Sequence, residues 1–212
     1  MRISMEGAGA LLLDIAGPVF DECLQRRIWD AAQQLEREAA IIQAVPGVNN
    51  LLVTFDVLHS DPDEMTRVVQ KVWKQATPHA ISGREIEIPV IYDGETGEDL
   101  AVLARHAGLC VAEVIKLHAS ARYSVAAIGA MPGFVYLTGL DSRLALPRRD
   151  TPRLKVEKGA VIIGGGHAGI MPCTAPSGWH VIGHTDVDLF DPSRSRPCFL
   201  QLGDSVRFVD VT

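Results

Sequence analysis

The sequence predicts an α+β protein in two parts, a small N-terminal α/β sandwich and a β-rich C-terminal part of barrel or sandwich type. Three observations carry this. Two amphipathic helical runs alternate with apolar β-rich runs over the first 80 or so residues. Beyond Arg122 no helical period of useful length recurs, and short β-rich runs are punctuated by Gly and Pro. Of 212 residues, 47% are hydrophobic and 22% charged, which is globular usage and enough for a real core.

In the first part, Leu11 to Ile15 is a short strand ended by the turn dipeptide Gly17-Pro18. From Asp21 to Ile42, Leu24, Ile28, Ala31, Leu35, Ala39 and Ile42 recur at steps of three and four, predicting one amphipathic helix stopped by Pro46-Gly47. Val48 to Leu58 is β-rich and reads as a strand. Asp61-Pro62-Asp63-Glu64 is a helix start, with proline and acids in the first turn. Met65, Val68, Val69, Val72 and Trp73 mark the helix it opens. The boundary falls between residues 83 and 84.

The second part, 84–212, opens on the alternating strand Glu85 to Tyr92. A helix follows Thr96-Gly97-Glu98-Asp99 to about His106; Gly108 breaks it, and Val111 to about Leu117 is another. Strands are expected at Tyr123 to Ile128, Ala160 to Ile163, His180 to Gly183 and Ser205 to Val209.

Composition excludes several functions. With 20 basic and 26 acidic side chains the net charge is −6, and aromatics are 6%, so neither duplex binding nor base stacking is indicated. No apolar run approaches the ~20 residues needed to span a bilayer, and the amino terminus has no leader-like apolar stretch. A cytoplasmic protein is expected. Cys23, Cys110, Cys173 and Cys198 form no CxxC pair and are expected as buried thiols.

The run Gly164-Gly165-Gly166-His167-Ala168-Gly169 fits GxGxxG, but Pro172 and Pro176 forbid the helix a dinucleotide site requires. No Gly-Lys-Ser/Thr makes it a P-loop. The glycines are read as serving turns or a close backbone approach. His167, His180 and His184 gather around Cys173, with His180 and His184 expected on one strand face; no metal is expected.

The strongest chemical signal is Pro147 to Lys155, which packs Arg148, Arg149, Arg153 and Lys155 between stiffening prolines. Guanidinium forks suit carboxylate or phosphate oxygens. The bland alternative is a solvated turn paired with Asp150 or Asp141. Just before it, Met131-Pro132-Gly133-Phe134-Val135-Tyr136-Leu137 places two aromatics where they either wall a pocket or plug a barrel end.

Ile88-Pro89-Val90 with Tyr92, Asp99-Leu100, Leu117-His118, Tyr123-Ser124-Val125, Pro132 to Leu137, Pro147-Arg148-Arg149-x-Thr151-Pro152-Arg153, Gly169-Ile170-x-Pro172, Pro176-x-Gly178-Trp179 and Ile182-Gly183-x-Thr185 occur in a family order. So do Leu189-Phe190 and Gly203-Asp204-x-Val206-x-Phe208. With them the chain resembles the family of 5-oxoprolinase B-type subunits, also called KipI-like or allophanate hydrolase subunit 1, equivalent to half of a carboxyltransferase-type domain. The resemblance implies a cyclophilin-like β-barrel for the second part. It also implies a complex with homologous C-type and A-type subunits that opens the cyclic amide 5-oxoproline to L-glutamate with ATP as co-substrate. The alternative it carries is a regulatory module that inhibits a sensor histidine kinase. On this reading Arg148, Arg149 and Arg153 contact anions, and His118 carries a proton. Tyr123, Tyr136 and Thr185 orient substrate oxygens, while Phe134 and Trp179 form apolar walls. The family pattern is not kept at Ala130, Ala168, Met171, Ser177 and His184.

Overall fold

A computed structural model describes residues 1–17, 19–78 and 83–212, so Pro18 of the expected Gly17-Pro18 turn lies outside the described residues. The chain forms two compact units, Met1–Ile81 and Ser82–Thr212.

In the first unit, β1 (Arg2–Met5), β2 (Ala10–Asp14), α1 (Glu22–Leu35), β3 (Ile41–Pro46), β4 (Asn50–Phe55) and α2 (Pro62–Gln75) follow one another. The strands make an antiparallel sheet in the order β1-β2-β4-β3. Alternation in β2 and β4 sends Leu11, Leu13, Leu51, Val53 and Phe55 to one face. There they bury against Ile28, Ala31 and Leu35 of α1 and Met65, Val69 and Val72 of α2. Asp61 caps α2 by accepting from the Asp63 and Glu64 amides at 2.9 and 3.0 Å, with Pro62 in the first turn.

The expected helix to Ile42 is wrong at its end. It stops at Leu35, and short turn bonds from Arg37 to Gln34 (3.2 Å) and Glu38 to Leu35 (3.0 Å) turn the chain into β3. Ala39 and Ile42 kept the helical period by coincidence, whereas β-branched Ile41 pairs with Phe55 of the sheet. Pro46-Gly47 therefore ends a strand rather than a helix, and Gly47 opens the hairpin by donating to the Asn50 carbonyl at 2.8 Å. Strand β1, too short to show a period, was missed.

The second unit contains β5 (Glu85–Val90), α3 (Leu100–Ala107), α4 (Val111–Ser120), β6 (Tyr123–Ile128), β7 (Val135–Thr138), β8 (Arg153–Val156), β9 (Ala160–Gly164), β10 (His167–Ile170), β11 (Ala175–Ser177), β12 (His180–His184) and β13 (Ser205–Asp210). Seven strands form a sheet in the order β12-β9-β10-β7-β6-β13-β5, with β5 and β13 parallel. The Ile91 amide donates to the His184 carbonyl at 2.8 Å and the His184 amide to Ile91 at 2.9 Å. This bridge joins the two edge strands and nearly closes the sheet into a barrel. The fold is α+β, with its second part a β-barrel.

β9 shows how the wall is built. All five of its residues are buried, Val161 and Ile163 in the barrel interior and Ala160 and Ile162 in a second cluster with Phe134, Met171, Trp179 and Val181. Val156 of the separate β8–β11 ribbon belongs to this outer cluster. That patch of barrel wall is covered on both faces, which removes the clean inside/outside alternation from the sequence.

The glycine run makes a hairpin. Gly164 pairs with His167 across a two-residue turn whose first residue, Gly165, takes φ +61°, as a tight hairpin requires.

Candidate functional site

The outer face of the wall around Gly164 carries the aromatic residues. A methyl at Gly164 would stand 2.4 Å from the Trp179 ring, and one at Gly169 would meet both Phe134 and Trp179 within 3.3 Å. The two bare glycines let the indole lie against the sheet. Phe134, Tyr136 and Trp179 then meet edge to face, with centroids 5.1 to 5.9 Å apart, and His167 stands 6.4 Å from Tyr136. Trp179 and Phe134 are buried, while Tyr136 is half-buried.

The basic segment lies along this platform. The Arg149 amide donates to the Gly178 carbonyl at 2.8 Å, and His180 Nε2 bonds the Pro147 carbonyl at 2.9 Å. Arg153 on β8 pairs with Ser177 on β11. The segment is thus tied to the stretch that holds Trp179, and the Arg148 guanidinium sits 5.7 Å from the centre of its ring.

Its three arginines are not equivalent. Arg153 grips Asp99 through both oxygens at 2.7 and 2.9 Å and also meets Glu98 at 3.0 Å. Arg149 reaches the same carboxylate at 3.2 Å. Asp99, 2% exposed, accepts in addition from the Val181 amide at 2.8 Å. Burial raises its pKa, but Arg153, the Val181 amide and Arg149 together hold it below the usual carboxylate range. Arg148 is exposed and has no ion-pair or hydrogen-bond partner among the described residues. Neither Asp150 nor Asp141 is the counterion; Asp141 pairs with Arg143.

A cavity of about 380 Å³ adjoins Arg153, lined also by Glu98, Lys155, Glu157 and His184. Its cations are already partnered, Arg153 by Asp99 and Glu98 and Lys155 by Glu157.

The residues expected to carry catalysis lie elsewhere. His118, on α4, has 0% exposure and stacks on Phe208 at 4.5 Å; its Nδ1 meets the Tyr92 hydroxyl at 2.7 Å. Burial lowers its pKa to about 3, so the ring is neutral. Tyr123, 1% exposed, donates to the His118 carbonyl at 3.0 Å, and burial raises its pKa. Both belong to the packed barrel core and reach no ligand on the outer face; the expected proton carrier and oxygen-orienting pair is corrected to a core network. Thr185 is also buried; its amide donates to the Gly159 carbonyl at 2.9 Å and its hydroxyl accepts from Val187 at 3.4 Å, so it braces a turn. Of the expected set, Arg148, Phe134, Tyr136 and Trp179 come together.

Two further expectations change. A register shift in β12 pairs His180 with Ile163 and His184 with Ala160, an odd offset that puts the two histidines on opposite faces. Among the described residues no three His, Cys, Asp or Glu side chains gather as a metal-binding group. The cysteines are not buried thiols: Cys23, Cys110 and Cys173 are exposed and Cys198 is intermediate. No helix among the described residues is long and apolar enough to cross a membrane.

Sequence reasoning named Asp99 and His167 but placed neither with the arginines and aromatic residues. Asp99 stood in view just ahead of α3, but its contacts lie 50 and 54 residues away. His167 was read only with His180 and His184 around Cys173 and not with the aromatic residues. Burial lowers its pKa, and its Nδ1 is buried without a partner among the described residues.

Residues 1–200 match the family described as carboxyltransferase domain, subdomain C and D. The chain is 42% identical over 208 residues, 98% of its length and 95% of the relative's, to the B-type subunit of 5-oxoprolinase from Escherichia coli O157:H7. The chain belongs to the family of 5-oxoprolinase B-type subunits. TTHA0988, a protein of known structure, superposes with a TM-score of 0.81 at 33% identity over 96% of this chain, which spans only 40% of that longer chain. The Kluyveromyces lactis urea amidolyase shares the fold, with a TM-score of 0.86 over 99% of this chain and 15% of its own, at 19% identity.

Within this 5-oxoprolinase B-type fold, the positions that break the family pattern are distributed unevenly. Ala168 faces the barrel core, and His184 pairs with Asp186 at 3.2 Å. Met171 packs in the outer cluster with Trp179, and the Ser177 hydroxyl accepts from the Trp179 amide at 3.2 Å. Ala130 takes φ +67° at the start of the loop leading to Phe134.

Proposed function

We propose that this chain works as the B-type subunit of an ATP-dependent 5-oxoprolinase, acting with a homologous C-type subunit and an A-type subunit to open 5-oxoproline to L-glutamate. The observation that carries the reading is Arg148, a cation without an ion-pair or hydrogen-bond partner among the described residues, held over the indole of Trp179 beside Tyr136. A small planar ring bearing a carboxylate suits such a place, its ring against the half-buried Tyr136 and its charge on the guanidinium. The names of the relatives and the length of TTHA0988, which continues well beyond the part resembling this chain, support a unit that acts joined to others.

A lactam resists water because its carbonyl is a poor electrophile. With ATP as co-substrate, the lactam oxygen takes the γ-phosphoryl group and ADP leaves. Water adds to the activated carbon, the ring C–N bond breaks to free the amine, and a second water releases phosphate from the resulting acyl phosphate. This chain's share is to hold and orient the anionic ring so that phosphoryl transfer meets the correct oxygen. Arg148 binds the carboxylate and Tyr136 walls the ring, with the buried Trp179 and Phe134 supporting Tyr136 from beneath.

The test is reconstitution with the A-type and C-type partners and measurement of 5-oxoproline-dependent phosphate release. Arg148→Ala is expected to raise KM for 5-oxoproline about ten- to hundred-fold, the worth of one charge-assisted hydrogen bond. Unchanged turnover and KM in that variant would remove the site assignment.

A further inference from the structure

We propose that Asp99 is the positioning residue of this site: by holding Arg149 and Arg153 it leaves Arg148 as the one arginine of the basic segment presented on Trp179. The inference rests on the Arg148 site described above and explains how three clustered arginines yield a single binding cation.

The charges balance locally. Arg149 and Arg153 bring two positive charges, and Asp99 and Glu98 answer with two negative ones. Arg148 is left as the surplus. The geometry explains why the division falls this way. The adjacent side chains of Arg148 and Arg149 leave the segment in different directions, one to the indole and the other to Asp99. Arg149 turns inward, its amide on the Gly178 carbonyl and its guanidinium on Asp99. Arg148 turns toward the indole. Asp99 is itself tied to β12: it is buried just ahead of α3, with its amide on the Val181 carbonyl and its carboxylate on the Val181 amide, each at 2.8 Å. It therefore clamps β12 next to Trp179 and the basic segment to one point. His180, also buried, stands with Nδ1 at 4.0 Å from the same carboxylate while its Nε2 holds Pro147. Removing the carboxylate leaves Arg149 without a counterion and Arg153 with Glu98 alone, so that the Arg149 guanidinium is able to swing outward and compete for an anion.

The indole N–H resonances of the free protein read this directly, because the Arg148 cation sits on only one of the three tryptophans. Arg148→Ala marks the Trp179 resonance, and Trp179→Phe confirms its assignment. Asp99→Asn is expected to shift that resonance in the same direction while leaving those of Trp29 and Trp73 in place. In the reconstituted complex it should raise KM for 5-oxoproline about tenfold with kcat little changed. Arg153→Lys, which keeps the charge but loses the fork, is the milder variant should Asp99→Asn fail to fold, and is expected to give a smaller shift of the same sign. A Trp179 resonance that moves in Arg148→Ala but stays put in both other variants overturns the positioning role. If the resonances behave as expected yet Arg148→Ala binds 5-oxoproline normally, the positioning stands and the substrate assignment falls.

Discussion

The indole of Trp179 rests on Gly164 so closely that a single methyl there would come within 2.4 Å of the ring. The contact fixes the height of the aromatic platform above the barrel wall, and with it the place of the Arg148 guanidinium.

Gly164→Ala is therefore expected to lift or tilt the indole. Because the neighbour is a rigid buried ring, the cost should be about 1–3 kcal/mol, as for other overpacked sites. Urea denaturation measures the loss, and a red-shifted Trp emission would report the displaced ring. Unaltered stability would show that the platform yields easily.

The three arginines should separate by stability as clearly as by function. Arg148→Ala removes an exposed, unpartnered side chain and is expected to change stability by no more than about 0.5 kcal/mol. Arg153→Gln leaves the buried Asp99 carboxylate short of its main partner and is expected to cost about 2–4 kcal/mol, reduced somewhat by the solvent that reaches Arg153. Equal denaturation midpoints for the two variants would contradict the division between one free and two clamped cations.

Arg84 and Asp204 join the start of the second unit to the turn before β13. Asp204, 3% exposed at its side chain, accepts from the Arg84 backbone at 2.9 Å and its guanidinium at 2.5 Å, and from the Gln201 amide at 2.9 Å. Asp204→Ala strips these donors of their acceptor and is expected to cost about 2 kcal/mol or more. Arg84→Ala should cost less, since half of that side chain is in solvent and the backbone bonds to Asp204 remain.

Acid should weaken the fold before the carboxylates titrate. His118 is neutral when folded, with a pKa of about 3, whereas an unfolded histidine titrates near 6.5. Below that value the unfolded chain binds a proton that the folded one refuses. Stability is therefore complete above about pH 6.5 and falls as pH drops toward 3, by at most about 1.4 kcal/mol per pH unit for this one group. The lowered pKa of His167 adds in the same direction. Asp99 and Asp204, both held below the ordinary carboxylate range, add to the loss once pH falls below about 4, the value of an unfolded aspartate. Denaturation midpoints at pH 7, 5.5 and 4.5 should decline steadily, and more gently in His118→Gln. Identical slopes would show that His118 is not the group responsible.

Ala130 holds a left-handed backbone, φ +67°, that side chains with a Cβ adopt at a cost of about 1–2 kcal/mol. Ala130→Gly relieves this but loosens the unfolded chain, so a net gain of about 0.5–1 kcal/mol is expected in a thermal or urea melt.

Local chemistry was legible wherever one segment decided the outcome alone. Asp61-Pro62 named the start of α2, Gly108 the end of α3, and the prolines after Gly169 excluded a dinucleotide loop in favour of a hairpin. The change of pattern after Arg122 announced a barrel or a sandwich, and the motifs announced the family. Ala39 and Ile42 misled because a period of three or four can run by chance from a helix into the strand beyond it. The partition of Arg148 from Arg149 and Arg153 belongs to tertiary structure alone. It depends on a carboxylate some fifty residues distant that only barrel closure brings within reach. His118 and Tyr123 looked reactive by type, but their chemistry follows from burial, which is set by how α4 packs on β13 rather than by any neighbour in the chain. Residue types and spacing determined the elements and the kinship; which charges remain free was decided by packing, because electrostatic pairing acts through space and not along the sequence.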